Sequence, residues 1–453
     1  MGIARLALCI CVVACAACGA DNTVQVWQGQ EIDKHETGEF LRFNLYKLNG
    51  AEKTSTLLVI GGVHGDEPGG YFAPALLATH YKITKGALWV VPNLNFESIV
   101  LTRRGLYGDM NRKFASVRAD DPDYLSVNTV KEIALDPEVD LVMNLHDGHG
   151  FYRERWENTI FNPKAWGQTL VIDQKKLSDV KFGNMDEIAK RVVDKLSVHM
   201  ASDHHYFRVK NTETRYKDEE MQRSLTYFAI TNLKPAFGQE TSKNIDALAI
   251  KVEYHLRSIE EFMRIMGIEF ERDFELSYEG VQQVLNDYGT LKINDRINFS
   301  LLDLRSILRF VPLHADGSDR FIFDHPLGAV KKIGDRYDVF IGNKRISALY
   351  PQAFDGDCTL PQVSVSIDDQ NGSLFSMGET FNVKKHFVIE PIDGIRANVI
   401  GFSVDGVENE TGMAIAKSRL IPRFSENVRG SIYRVEFYKD NSFCGMINAS
   451  FTK

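Results

Sequence analysis

Apolar residues along this chain fall into two textures. Between residue 21 and about residue 267, short unbroken apolar runs alternate with stretches whose apolar positions recur every three or four residues. The runs at 56–60, 87–91 and 140–145 read as buried strands, the first stopped by Gly61-Gly62. Pro68 opens a helix-compatible stretch through Ala73, Ala75, Leu76 and Leu77. Helical spacing returns over 185–199, through Ile188, Val192 and Leu196, and again over 245–266. Strands interleaved with helices predict an α/β layer fold on a mixed sheet, with helices on both faces.

After Gly267 the pattern turns β-rich. Short runs at 291–293, 320–323 and 337–341, then at 363–367 and 433–437, are separated by Gly, Asp and Asn. This spacing predicts two small β-rich domains, the last an immunoglobulin-like sandwich. The expected division is a leader over 1–20, the α/β domain over 21–268, and β-rich domains over 269–350 and 351–453.

Composition narrows the picture. At 453 residues, 44% hydrophobic and 25% charged, the chain is long enough for several domains with sizeable cores, which excludes disorder, collagen and small disulfide scaffolds. Lys and Arg number 53 against 61 Asp and Glu, a net charge of −8 that argues against nucleic acid as the main partner.

The leader has its own signature. Arg5, an apolar run over 6–13 and small residues over 14–20 have the layout of a secretory signal peptide, and the run is too short to span a bilayer. Val12-Val13-Ala14-Cys15 also fits a bacterial lipoprotein cleavage box, which makes Cys15 an alternative lipid anchor. The expected location is the periplasm. Four cysteines (Cys9, Cys11, Cys15, Cys18) lie in this leader; Cys358 and Cys444 either pair or stay separate core thiols, and spacing does not choose.

The chemistry concentrates where strands end. His64 and Glu67 follow the first strand in Gly61-Gly62-Val63-His64-Gly65-Asp66-Glu67-Pro68, close enough to reach one metal ion. His146 follows the third strand, with His149 as a rival. Two histidines and a carboxylate are the donor set of a catalytic zinc, with one position open. Between them, Asn111-Arg112 suits a planar carboxylate, and Arg104 can face the charge that develops on an attacked carbonyl.

Taken in order, His64-x-x-Glu67, Arg104, Asn111-Arg112 and His146 resemble the zinc metallocarboxypeptidases, the carboxypeptidase A-like funnelins, over about residues 40–265. The resemblance implies one Zn2+ per chain and a glutamate that activates the attacking water. Glu240, in Pro235-Ala236-Phe237-Gly238-Gln239-Glu240-Thr241-Ser242, supplies that glutamate. The arrangement is most similar to the periplasmic D,L-carboxypeptidases that trim peptidoglycan stems in curved and helical Gram-negative bacteria. Those enzymes carry two β domains after the catalytic one. Some relatives replace the first histidine with glutamine; this chain has His64. The implied substrate is the peptidoglycan muramyl tripeptide, L-alanyl-γ-D-glutamyl-meso-diaminopimelate, which loses its terminal residue.

Several residues stay open. Tyr206, Tyr216 and Tyr227 are alternatives for a tyrosine that closes over substrate, and Trp156 and Trp166 for walls of a groove. The pair His204-His205 lacks metal spacing. Two competing readings are a small-molecule amidase of the aspartoacylase or succinylglutamate-desuccinylase type, which shares H-x-x-E, and a non-catalytic cell-wall scaffold.

Overall fold

A computed structural model describes residues 11–14, 23–26, 42–354 and 356–451. Most of the leader, Cys15 included, lies outside the described residues. The chain divides into two compact units, the first ending at Asn286 and the second beginning at Asp287.

The first unit is built on a mixed sheet. Its central strands Tyr81–Val91, Glu52–Ile60, Leu141–Gly148 and Ala236–Ser242 are parallel neighbours in that order. Leu57 to Ile60 and Leu141 to Met143 are fully buried, because parallel strands covered on both faces are apolar throughout. Beyond Ala236–Ser242 lie Thr169–Ile172, antiparallel to it, and then Arg208–Asn211, parallel to Thr169–Ile172.

Alternation along Ala236–Ser242 separates the two faces. Phe237 packs on Phe262 of helix Leu248–Met266, with ring centroids 4.8 Å apart. The next residue, Gly238, faces Thr226 of helix Leu225–Thr231 instead. Helices thus cover both faces, as the sequence pattern predicts. Helix Leu248–Met266 ends at Gly267, whose φ of 71° is left-handed and stops the helix cleanly.

The expected boundary near 268 is displaced. Glu269–Arg272 pairs antiparallel with Tyr81–Val91, and helix Tyr278–Leu285 packs on Leu248–Met266, so the first unit continues to Asn286.

In the second unit, Leu308–His314, Lys344–Phe354, Arg336–Ile341 and Gly328–Ile333 form one sheet, and Thr290–Ile293 centres a smaller one. The C-terminal part is a two-sheet sandwich. Gln362–Ile367 lies in one sheet and Ser442–Phe451 in the other, around a core that includes Val365, Phe381, Phe387, Val435, Phe437 and Ile447. Cys358 and Cys444 form a disulfide, which answers the question that spacing left open.

Candidate metal and catalytic site

Three central strands of the first unit deliver the site. After Ile60 the chain turns through Gly62, whose φ is 70°. A side chain there would lie 2.8 Å from Ile99 Cδ1 and 2.9 Å from Pro92 O, so glycine is needed both for the turn and for the close approach. That turn places His64 and Glu67 just before Pro68 begins helix Pro68–His80. His146 lies near the end of Leu141–Gly148, in register with Glu240 on Ala236–Ser242. Paired residues point the same way, so His146 and Glu240 share the face of helix Leu225–Thr231.

His64, Glu67 and His146 converge. They are 3%, 3% and 4% exposed, and one ligand atom from each lies within 4.8 Å of the other two. His64 Nδ1 is 3.0 Å from Glu67 Oε1, His146 Nδ1 is 2.9 Å from Glu67 Oε2, and the two Nδ1 atoms are 3.2 Å apart. His64 Nε2 donates to Asp109 Oδ1 at 2.8 Å. That bond leaves the Nδ1 lone pair turned towards Glu67 and His146, an arrangement that calls for a cation between them. Burial alone would lower the His64 pKa, but Glu67 and Asp109 outweigh it and raise it to about 9. Two imidazoles and a carboxylate that converge on one point, with an outer acceptor fixing His64, fit a metal.

Other charges brace this corner. Arg104 Nη1 donates to Glu67 Oε1 at 2.9 Å, and its Nε and Nη2 donate to Asp109 Oδ2 at 3.1 and 3.0 Å. Asp109 Oδ1 also accepts from the Asn111 backbone N–H at 2.9 Å, which starts the short turn Met110–Arg112. The buried Asn111 side chain accepts from Leu225 N–H at 3.1 Å and brings Nδ2 to 3.5 Å from His146 Nε2. Arg112 Nε is 3.4 Å from Glu220 Oε2.

Glu240 stands apart. Its carboxylate lies over Gly148, where an added Cβ would be 2.8 Å from Glu240 Oε2 and 2.6 Å from Trp166 Cβ. Burial, with the negative charge of Glu67 beside it, holds its pKa well above the usual carboxylate range.

With that geometry in view, the known proteins can be compared. Residues 28–286 match the family described as "carboxypeptidase controlling helical cell shape catalytic", and residues 356–452 match "C-terminal domain of metallo-carboxypeptidase". The chain belongs to the carboxypeptidases that control helical cell shape. Apo cell shape determinant protein Csd4 from Helicobacter pylori is 36% identical, covers 90% of this chain and 100% of its own, and superposes with a TM-score of 0.86. The same values hold for a tripeptide-bound structure of that protein and for an mDAP-bound one described as a D,L-carboxypeptidase. No curated protein matches the sequence. This cell-shape carboxypeptidase is therefore a peptide hydrolase of a metal-dependent family, which displaces the amidase and scaffold readings.

In this carboxypeptidase the residues that the sequence leaves open separate by position. His149 is exposed and outside the cluster. Tyr216 is 81% exposed, Tyr206 lies under the Arg153 guanidinium, and Tyr227 is half-buried. Trp156 is 60% exposed, whereas Trp166 packs beside Gly148. His205 stacks on Phe151, His204 meets Phe151 and Phe161 edge-on, and burial pushes the His205 pKa down to about 4.

Sequence reasoning missed two partners. Asp109 stands within the segment that carries Arg104 and Arg112, and an acid two residues before Asn111 was the available signal. Asp147, next to His146, accepts from Gly69 N–H at 2.9 Å, Thr241 Oγ1 at 2.5 Å and Lys251 Nζ at 3.2 Å. It ties the Glu67 loop to the Glu240 strand and the long helix, contacts no local motif could reveal.

Proposed function

We propose that this enzyme is a zinc-dependent D,L-carboxypeptidase that removes terminal meso-diaminopimelate from muramyl tripeptides in the periplasm. The observation that carries the reading is the buried His64, Glu67 and His146 cluster with Glu240 beside it on the same sheet face. Two imidazoles and one carboxylate suit zinc, and a bound zinc would polarise the scissile carbonyl and acidify water.

The protein's own groups divide the remaining work. Glu240, with its raised proton affinity, accepts a proton from the attacking water and returns it to the leaving amine. Arg104 uses three of its five N–H donors on Glu67 and Asp109, which leaves two for the oxygen that becomes negative. Asn111 and Arg112 hold the terminal carboxylate, which restricts cleavage to the last residue because an internal residue has none to offer. The leader directs export, by cleavage or by lipidation at Cys15.

Digestion of purified muropeptides, followed by mass spectrometry, tests the proposal. Tripeptides should lose diaminopimelate and yield dipeptides, while tripeptides amidated at the terminal carboxylate and longer stems resist. Equal cutting of amidated and longer stems would mean an endopeptidase and remove the carboxylate clamp.

A further inference from the structure

Most cations around the site already face a carboxylate. Arg104 meets Glu67 and Asp109, Arg112 meets Glu220 at 3.4 Å, Lys243 meets Asp66 at 2.6 Å and Lys251 meets Asp147 at 3.2 Å. Lys210 differs. Its Nζ donates to the carbonyls of Ala165 at 2.8 Å and Pro163 at 3.4 Å and lies 3.9 Å over the Trp166 ring. Among the described residues no carboxylate is within ion-pair distance of it. Nζ also lies 4.8 Å over the Tyr152 ring, so two carbonyls and two ring faces hold the ammonium and none of them carries a formal charge to neutralise it. Burial pushes its pKa down to about 8, with Glu240 and Asp218 acting in the opposite direction.

Strand register fixes where that ammonium sits. Lys210 is paired with Val171, and Val171 with Gly238, so the three positions share one face of the sheet. Glu240, two residues after Gly238, is on that face too. Gly238 contributes no side chain below Glu240, and a Cβ there would meet Val171 Cβ at 3.4 Å and Thr226 Cγ2 at 4.0 Å. Thr226 follows Leu225, whose N–H donates to Asn111 Oδ1 at 3.1 Å. The floor between Glu240 and Lys210 is therefore on the Asn111 side of the site. A terminal residue held by Asn111 and Arg112 would direct its side chain across that floor.

We propose that Lys210 reads the far end of the substrate's last side chain, pairing with a carboxylate there. Diaminopimelate carries such a second carboxylate and lysine does not, so the residue selects diaminopimelate over lysine. This rests on the exopeptidase reading above.

The test uses metal-loaded full-length enzyme and tripeptides ending in meso-diaminopimelate or in L-lysine. Wild type should prefer diaminopimelate by about 10- to 100-fold in kcat/KM, mainly through KM, the size expected of one charge-assisted contact. Lys210→Met should bring the preference close to unity, and Lys210→Arg should keep part of it. Equal wild-type cleavage of both tripeptides would overturn the proposal without any variant having to fold. So would a Lys210→Met enzyme that keeps the full preference. A third comparison replaces the γ-D-glutamyl carboxylate by an amide; if Lys210→Met erases discrimination there instead, the carboxylate is on the other side of the scissile bond and the assignment fails. Cleavage of neither tripeptide by wild type would overturn the underlying exopeptidase reading.

Discussion

On the His64 side of the active site, His64, Glu67, Arg104 and Asp109 satisfy one another at 2.8–3.1 Å, whereas Glu240 and Lys210 on the other side have no ion-pair partner among the described residues. The difference follows from what each side has to hold. A metal site gains from donors fixed in advance by outer hydrogen bonds, since those bonds set the tautomer and direction of each ligand. Groups beyond that cluster keep unspent charge for a proton in transfer or a substrate group, while Arg104 and Arg112, though ion-paired, retain N–H donors. The fold accommodates both: His64 and Glu67 sit on the turn after Glu52–Ile60, His146 near the end of Leu141–Gly148, and Glu240 and Lys210 on strands further along the sheet.

The comparison breaks most severely at His64. His64→Ala removes a ligand and the partner of Asp109, so metal content should fall close to zero and turnover to background. That loss should far exceed the ~10–100-fold in affinity that an outer partner is worth. Elemental analysis of purified protein checks it, and full metal occupancy would remove His64 from the ligand set.

Gly148 probes the opposite side. A Cβ at this position would collide with Trp166 Cβ at 2.6 Å, Gly167 N at 2.8 Å and Glu240 Oε2 at 2.8 Å. Gly148→Ala should leave the metal bound but displace Glu240, and a shift of about 1 Å in a reacting group costs on the order of 10²-fold in kcat. Metal analysis beside steady-state kinetics separates the two effects. Unchanged turnover would show that Glu240 needs no fixed position.

The smallest of these effects belongs to Asp109. Asp109→Asn keeps an acceptor for His64 but loses the charge shared with Arg104, and should weaken metal binding by about 10–100-fold. Competition with a chelator measures it. Wild-type affinity would mean that the Asp109 bond does not orient His64.

How much of this could be read from the sequence depends on how local each signal is. The strand ends bearing His64 and His146 were legible, because buried parallel strands are continuous apolar runs and their following loops collect polar residues. Helix Leu248–Met266 was equally plain from its spacing. The end of the first unit was not, since Glu269–Arg272 is a charged edge strand with a single apolar residue, and only pairing with Tyr81–Val91 defines it. Asp109 and Asp147 were missed for a related reason: their roles come from contacts across strands and loops, which neither periodicity nor motif spacing encodes. Cys358 and Cys444 likewise needed three-dimensional proximity to be recognised as a pair.

The division between the two sides is tested most directly by measuring metal content and tripeptide turnover on one preparation of Glu240→Ala. The expected result is a full equivalent of metal with turnover reduced by about 10²–10⁴-fold, the range for loss of a general acid–base group. Loss of the metal would make Glu240 part of the metal site, and near-normal turnover would place the proton-transferring group elsewhere; either result contradicts the account.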